Sequence, residues 1–219
     1  MLQLHYFPAN ASMIPHILLE ELGVPFELKL VDRTVNAHKT PAYLKLNPNG
    51  LIPVLVDGEL VLYETAAICL HLADTHAAAG LMPVPRPGGQ AHGRAECTKW
   101  LMWMTNTLQA ELILYFYPER WVDQGNAAAA AQIKAHAEAN IGGMLDQIDA
   151  HLAMHGKAWF LGDKTSLLDA YALVLCRRTR GFGRPARMLP HLGPYLARVL
   201  ARPAVQRVIA AENLAQPYV

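Results

Sequence analysis

Residues 51–65 read Leu51-Ile52-Pro53-Val54-Leu55-Val56-Asp57-Gly58-Glu59-Leu60-Val61-Leu62-Tyr63-Glu64-Thr65. Two short apolar runs flank Asp57-Gly58, a dipeptide whose backbone freedom suits a tight hairpin turn. Pro53, at the head of the first run, has no N–H to give a sheet ladder. A cis Ile52–Pro53 bond would reconcile a proline with that position. Glu64-Thr65 then stand where a strand gives way to a helix. Backbone N–H groups and a hydroxyl at a helix start attract an anion. A free strand edge beside Pro53 and an anion site at Thr65 suit an extended small peptide carrying a carboxylate.

Upstream of this stretch, Leu2 to Phe7 reads as a strand stopped by Pro8. Ser12 to Leu22 has apolar residues at Ile14, Ile17, Leu18 and Leu22, a helical period, with Gly23 as its C-cap. Phe26 to Val31 alternates as a second strand, and Pro41 to Leu46 is a helical turn. Val54 to Val56 and Leu60 to Leu62 form the hairpin, and Thr65 to Thr75 is a helix. The order predicts a four-stranded mixed sheet with helices on its faces, a right-handed βαβ unit feeding a hairpin.

Residues 80–89, Gly80-Leu81-Met82-Pro83-Val84-Pro85-Arg86-Pro87-Gly88-Gly89, are the one clear linker. They divide the chain into an N-terminal domain, 1–79, and an all-helical domain, 90–219. One helical segment runs from Gln90 toward Tyr117. Another starts at Asn126, which caps an alanine run, and continues to about Met154. Ser166 with Asp169 is a capping box in its Asp form and opens a third. Further helices lie near Pro190 to Leu200 and Pro203 to Glu212. The run Arg177-Arg178-Thr179-Arg180 reads as a solvated helix end.

A chain of 219 residues that is 53% hydrophobic, with a net charge of +1, is globular and carries no nucleic-acid footprint. No stretch is apolar for long enough to span a membrane, and the first residues lack a signal-peptide pattern. Cys69, Cys97 and Cys176 form neither a disulfide framework nor a metal spacing, which favours a reducing, cytoplasmic setting. His151 and His155 share a helix face but lack a third ligand, so no metal is expected.

The run His38-Lys39-Thr40-Pro41-Ala42-Tyr43-Leu44-Lys45-Leu46-Asn47-Pro48-Asn49-Gly50-Leu51-Ile52-Pro53-Val54-Leu55 resembles the glutathione transferase superfamily nearly position for position. The resemblance covers essentially the whole chain. It implies a thioredoxin-like N-terminal domain and an all-α C-terminal one, glutathione as co-substrate, a homodimer and an electrophilic second substrate. It places Glu64 on the ammonium and Thr65 on the carboxylate of the γ-glutamyl group. It puts Ile52, beside Pro53, against the cysteinyl backbone, and His38 and Lys39 toward the glycine carboxylate.

The turn Tyr6-Phe7-Pro8-Ala9-Asn10-Ala11-Ser12 resembles the beta-class pattern Tyr-x-Pro-x-Ala-Cys-Ser, with Ala11 in place of the cysteine. Ser12, expected as the cap of the first helix, is the leading candidate for stabilising the glutathione thiolate, followed by Asn10 and Tyr6. The acceptor pocket is expected between the halves, drawing on Trp103, Asn106, Thr107, Gln109, Ala110, Tyr115, Phe116 and Trp121. Gln109-Ala110 stand where the beta-class pattern has His-Lys. The function implied is conjugation of glutathione to an apolar electrophile. The alternatives are a glutathione-dependent reductase, dehalogenase or isomerase, and a non-catalytic glutathione-binding or scaffold protein.

Overall fold

A computed structural model describes residues 1–83 and 92–219. The N-terminal half contains β1 (Leu2–Tyr6), α1 (Met13–Leu22), β2 (Phe26–Leu30), α2 (Pro41–Leu44), β3 (Val54–Asp57), β4 (Leu60–Tyr63) and α3 (Thr65–Thr75). The sheet order is β2-β1-β3-β4. β1 runs parallel to β2, with Leu2 opposite Phe26, and antiparallel to β3, with His5 opposite Val54. This is the thioredoxin-like arrangement expected.

The hairpin turn sits one residue later than its sequence suggested. Asp57 pairs with Leu60 in the β3–β4 ladder, so the loop is Gly58-Glu59. Gly58 has φ +60° while Glu59 is not left-handed, the pattern of a hairpin turn with glycine leading. Asp57 remains in the strand, and its Oδ2 lies 2.9 Å from His71 Nε2 on α3.

The C-terminal half contains α4 (His92–Trp103), α5 (Ala110–Phe116), α6 (Ala127–His155), α7 (Leu167–Arg177), α8 (Leu192–Leu200) and α9 (Pro203–Ala211). A π-helical segment, Met104–Gln109, joins α4 to α5. Asn126 caps α6 as expected, accepting from the Ala129 N–H at 3.1 Å. Strand pairing among the described residues of this half is limited to one isolated bridge, Trp159 with Gly162, which closes a tight turn. The expected linker falls partly on residues 84–89, outside the described residues. Its described start is anchored: Leu81 and Met82 are buried, and Leu81 O accepts the Leu167 N–H at 2.8 Å.

All eleven residues of α7 are buried, because an element apolar on every side belongs at the centre. Its start is held by the capping box. The Ser166 N–H donates to Asp169 Oδ2 at 2.7 Å, and the Leu168 N–H to Ser166 Oγ at 3.3 Å. Asp169 also accepts the Phe160 N–H and the Tyr195 hydroxyl. α1 packs on α3, α7 and α9, so one apolar core runs unbroken from Leu4 through Ile17, Ile68 and Leu101 to Val208.

Of Arg177 to Arg180, expected as a solvated end, only Arg180 is exposed, and Arg178 is partly buried. Arg177 is 5% exposed and Thr179 is fully buried. Thr179 Oγ1 donates to Cys176 O at 2.8 Å and accepts the Ala186 N–H at 3.0 Å, so the following segment folds back over this end. Cys69, Cys97 and Cys176 are free and buried.

Candidate active site

The loop before β3 is built around one carbonyl. The Tyr43 hydroxyl and the Asn47 amide both donate to Leu51 O, at 2.8 and 2.9 Å. Asn47 Oδ1 accepts the Asn49 N–H at 3.0 Å. Gly50 follows with φ +59°; a Cβ there would lie 2.8 Å from Lys39 Nζ and 2.9 Å from His38 O. The close approach and the left-handed backbone both require glycine. With Leu51 fixed, Ile52 makes no backbone hydrogen bond among the described residues, and Ile52–Pro53 is cis. An unpaired stretch at the head of β3 can accept a peptide backbone as an added strand.

Glu64 has φ +73° and stands exposed at the N-cap of α3, where its side chain caps nothing. A non-glycine residue at positive φ between strand and helix marks a constrained position. Thr65 beside it is buried. The Tyr171 hydroxyl of α7 is buried next to Thr65 without a well-formed partner. The strand-to-helix junction is therefore supported from beneath by the helical half. His38 Nδ1 is also buried and unpaired, while Lys39 is exposed, with Nζ 3.4 Å from Asn49 O. Burial, then the Lys39 and Arg33 cations, holds the His38 imidazole below its ordinary range.

The turn after β1 departs from expectation at Ser12. Its side chain makes no cap bond to α1. The residue is fully enclosed, donating from Oγ to Phe7 O at 3.1 Å and accepting the Phe7 N–H at 3.2 Å. Geometry therefore gives Ser12 a role in closing the turn, because its hydroxyl is already engaged and shut from solvent. Tyr6 packs partly buried against the core, its ring 6.2 Å from that of His16. Asn10 and Ala11 are partly open, and the Asn10 carboxamide oxygen rests on the Ala11 N–H.

Glu212, immediately after α9, reaches this turn from the far end of the chain. Its Oε2 accepts the Ala9 N–H at 2.9 Å, and Oε1 lies 2.8 Å from His16 Nδ1. Ala9 has φ +59°, so the clamp grips the turn at a residue that resists that conformation. A carboxylate and an amide some two hundred positions apart leave no periodic sequence signal. A buried glutamate is the kind of residue that demands a partner, but nothing in the sequence says which.

The acceptor candidates separate. Tyr115 stacks on Phe182 at 4.4 Å and has Lys134 Nζ 4.9 Å from its ring, so it faces α6. Trp103 packs edge-on against Trp100 at 5.2 Å, beside the Trp100–His151–Phe160 cluster. Asn106, Phe116 and Trp121 are exposed. Gln109 Oε1 is buried without a partner. The next-door ring, Phe116, lies under the Arg178 guanidinium at 5.9 Å, and Tyr117 under Arg120 at 4.0 Å. Among the described residues no cluster of three or more His, Cys, Asp or Glu could hold a metal.

Sequence signatures agree with this geometry. Residues 11–75 match the glutathione S-transferase N-terminal domain, and residues 116–212 its C-terminal domain. The chain belongs to the glutathione S-transferase family and is a glutathione transferase enzyme. A relative from Xanthomonas campestris pathovar campestris, glutathione S-transferase GST-4.5, is 31% identical over 97% of this chain and 100% of its own length. Glutathione S-transferase 3 of Zea mays is 34% identical over 99% of this chain and 96% of its own. A sphingomonad glutathione S-transferase solved in complex with glutathione has a TM-score of 0.81 and 30% identity, covering 97% of this chain and 100% of that one.

Proposed function

We propose that the chain binds glutathione and conjugates its thiolate to an electrophilic carbon of a small, largely apolar molecule. The observation that carries this reading is the exposed Glu64 carboxylate at the start of α3, beside an Ile52 backbone that has no ladder partner. Glu64 takes the γ-glutamyl ammonium and Thr65 its carboxylate. Ile52 pairs with the cysteinyl backbone, and His38 and Lys39 face the glycine carboxylate. The sulfur then lies toward the turn at residues 9–12.

The thiolate is the nucleophile, and donors that favour S⁻ raise its fraction at neutral pH. With the Ser12 hydroxyl enclosed and the Ala11 N–H already donating to the Asn10 carboxamide oxygen, we assign this task to the Asn10 side-chain NH2, which is partly open. Tyr6, held on β1, has a packing role in this reading. In the reaction the sulfur lone pair forms the C–S bond, and the electron pair of the broken bond leaves with a halide or opens an epoxide onto oxygen. Asn106, Gln109 and Phe116 are the proposed acceptor contacts. Trp103 and Tyr115 support that wall from behind.

Ala11 in place of a cysteine, and three thiols that are all buried, disfavour disulfide exchange through a protein cysteine. Burial pushes the Cys97 and Cys176 thiols up to about 12. We further propose a cytoplasmic homodimer with domains 1–79 and 90–219. Steady-state turnover with a panel of aryl halides, epoxides and disulfides tests the reading: conjugation of the first two classes supports it, and turnover of disulfides alone replaces it with a reductase.

A further inference from the structure

Arg178 follows α7 directly and is partly buried. Among the described residues its guanidinium has no carboxylate partner and no side-chain hydrogen bond. Four other arginines do have acidic partners: Arg94 with Asp74, Arg184 with Asp146, Arg202 with Glu21 and Arg207 with Glu20. The charges that act on Arg178 are the cations Arg180 and Arg33, along with the Tyr117 phenol. Burial and these like charges hold its pKa below the ordinary arginine range. Arg33 also acts on His38, in the loop assigned to the glycine end of glutathione. The Arg33 charge thus acts on both Arg178 and that loop.

A partly desolvated cation among other cations is an incomplete electrostatic arrangement, and an anion completes it. The neighbouring surface is aromatic: the Phe116 ring lies 5.9 Å from the guanidinium and is 41% exposed. We propose that the acceptor substrate carries a carboxylate on an aromatic body, with the carboxylate paired to Arg178, in the field of Arg33, and the body lying on Phe116. This rests on the placement of glutathione given above, and it narrows the class of electrophile from apolar to anionic and aromatic.

The test is calorimetric titration of the full chain with glutathione, S-(p-carboxybenzyl)glutathione and the methyl ester of that benzyl carboxylate. The acid should bind about tenfold more tightly than its ester, the effect of one well-placed charge pair. Arg178→Gln should erase the preference and leave the affinities for glutathione and the ester unchanged. Arg178→Lys should retain part of it, and Arg33→Gln should reduce it, which keeps the proposal testable if one variant folds poorly. Equal affinity of acid and ester in the unmodified protein overturns the proposal. So does an Arg178→Gln loss equally large for glutathione itself, which would assign the cation to the glycine carboxylate. An Arg178→Gln loss equally large for the acid and its ester overturns the charge pairing. Failure of glutathione itself to bind overturns the functional reading beneath it, and this inference falls with it.

Discussion

Glu212, just past the end of α9, accepts the backbone N–H of Ala9 at 2.9 Å across 203 residues of chain. The last helix thus holds the turn that the glutathione sulfur is proposed to approach. Glu212→Ala leaves the buried His16 ring and the partly buried Ala9 N–H without their acceptor. Each unsatisfied group costs about 1–3 kcal/mol. Glu212→Gln retains an acceptor and should cost less. Urea unfolding of both variants checks the ranking, and equal stability of Glu212→Ala and the parent would remove the clamp.

Removing either γ-glutamyl contact should weaken glutathione binding. Glu64→Gln deletes the charge without altering shape, and Thr65→Val deletes the hydroxyl. Each is expected to cost about 1.5–3 kcal/mol, the range for hydrogen bonds to charged groups. Calorimetry on the two variants decides this. Unchanged affinity in both would move the peptide away from the start of α3.

Ser12 and Asn10 should separate into two kinds of effect. Ser12→Ala strips the Phe7 N–H of its buried acceptor and should lower stability by about 1–3 kcal/mol. Asn10→Ala should leave stability nearly intact while raising the pKa of the bound glutathione thiol. Thiolate absorbance of the complex, followed against pH, reads the second effect. A larger upward shift in Ser12→Ala than in Asn10→Ala would return the donor role to the serine.

His38 carries a pH dependence whose sign follows from its surroundings. Burial, then Lys39 and Arg33, holds its pKa below the ordinary 6.5. The folded chain therefore binds fewer protons there than the unfolded chain. Its contribution to stability is whole above 6.5 and declines as pH falls through 6.5 toward the lowered value. A glycine carboxylate set against the ring favours the charged form, so binding takes up a proton. Glutathione affinity should rise as pH falls across that interval, and His38→Gln should flatten the profile. An affinity that declines over the same interval in the parent would take His38 out of the site.

Two copies are expected to pair about a two-fold axis, with α3 and α4 at the contact. Leu60 and Val61 on the edge strand β4 are 43% and 39% exposed, which supports a covered edge. Sedimentation velocity at micromolar concentration should show a dimer; a monomer would count against it.

Much of the fold was legible because its signals are local. The βαβ unit, the hairpin, the Asn126 cap and the Ser166–Asp169 box each lie within a few residues. Even there the hairpin moved by one position, since Asp57 is held in the strand facing His71. The stretch proposed to bind glutathione is also local, one continuous run from His38 to Thr65. What the sequence concealed depends on distance and burial. Ser12 looked like a cap because its position fits one, but Phe7 takes its hydroxyl. Arg177 to Arg180 looked solvated because four polar residues after an apolar helix usually are. Here α7 runs through the centre of its domain, so Arg177 and Thr179 are covered and only Arg180 reaches solvent freely. Tyr115 and Phe116 are adjacent, and only packing shows that the first faces α6 and the second faces outward.

The core that α1 shares with α7 and α9 has a consequence for how the chain is made. The N-terminal half is finished early, yet the α1 surface opposite the sheet is not fully covered until α7 and then α9 emerge. Between Leu22 and Pro203, synthesis at typical speeds takes on the order of ten to forty seconds. For most of that interval the α1 face that packs on α7 and α9 lacks its full cover. The nascent chain is therefore most vulnerable to aggregation while its catalytic half already has its sheet.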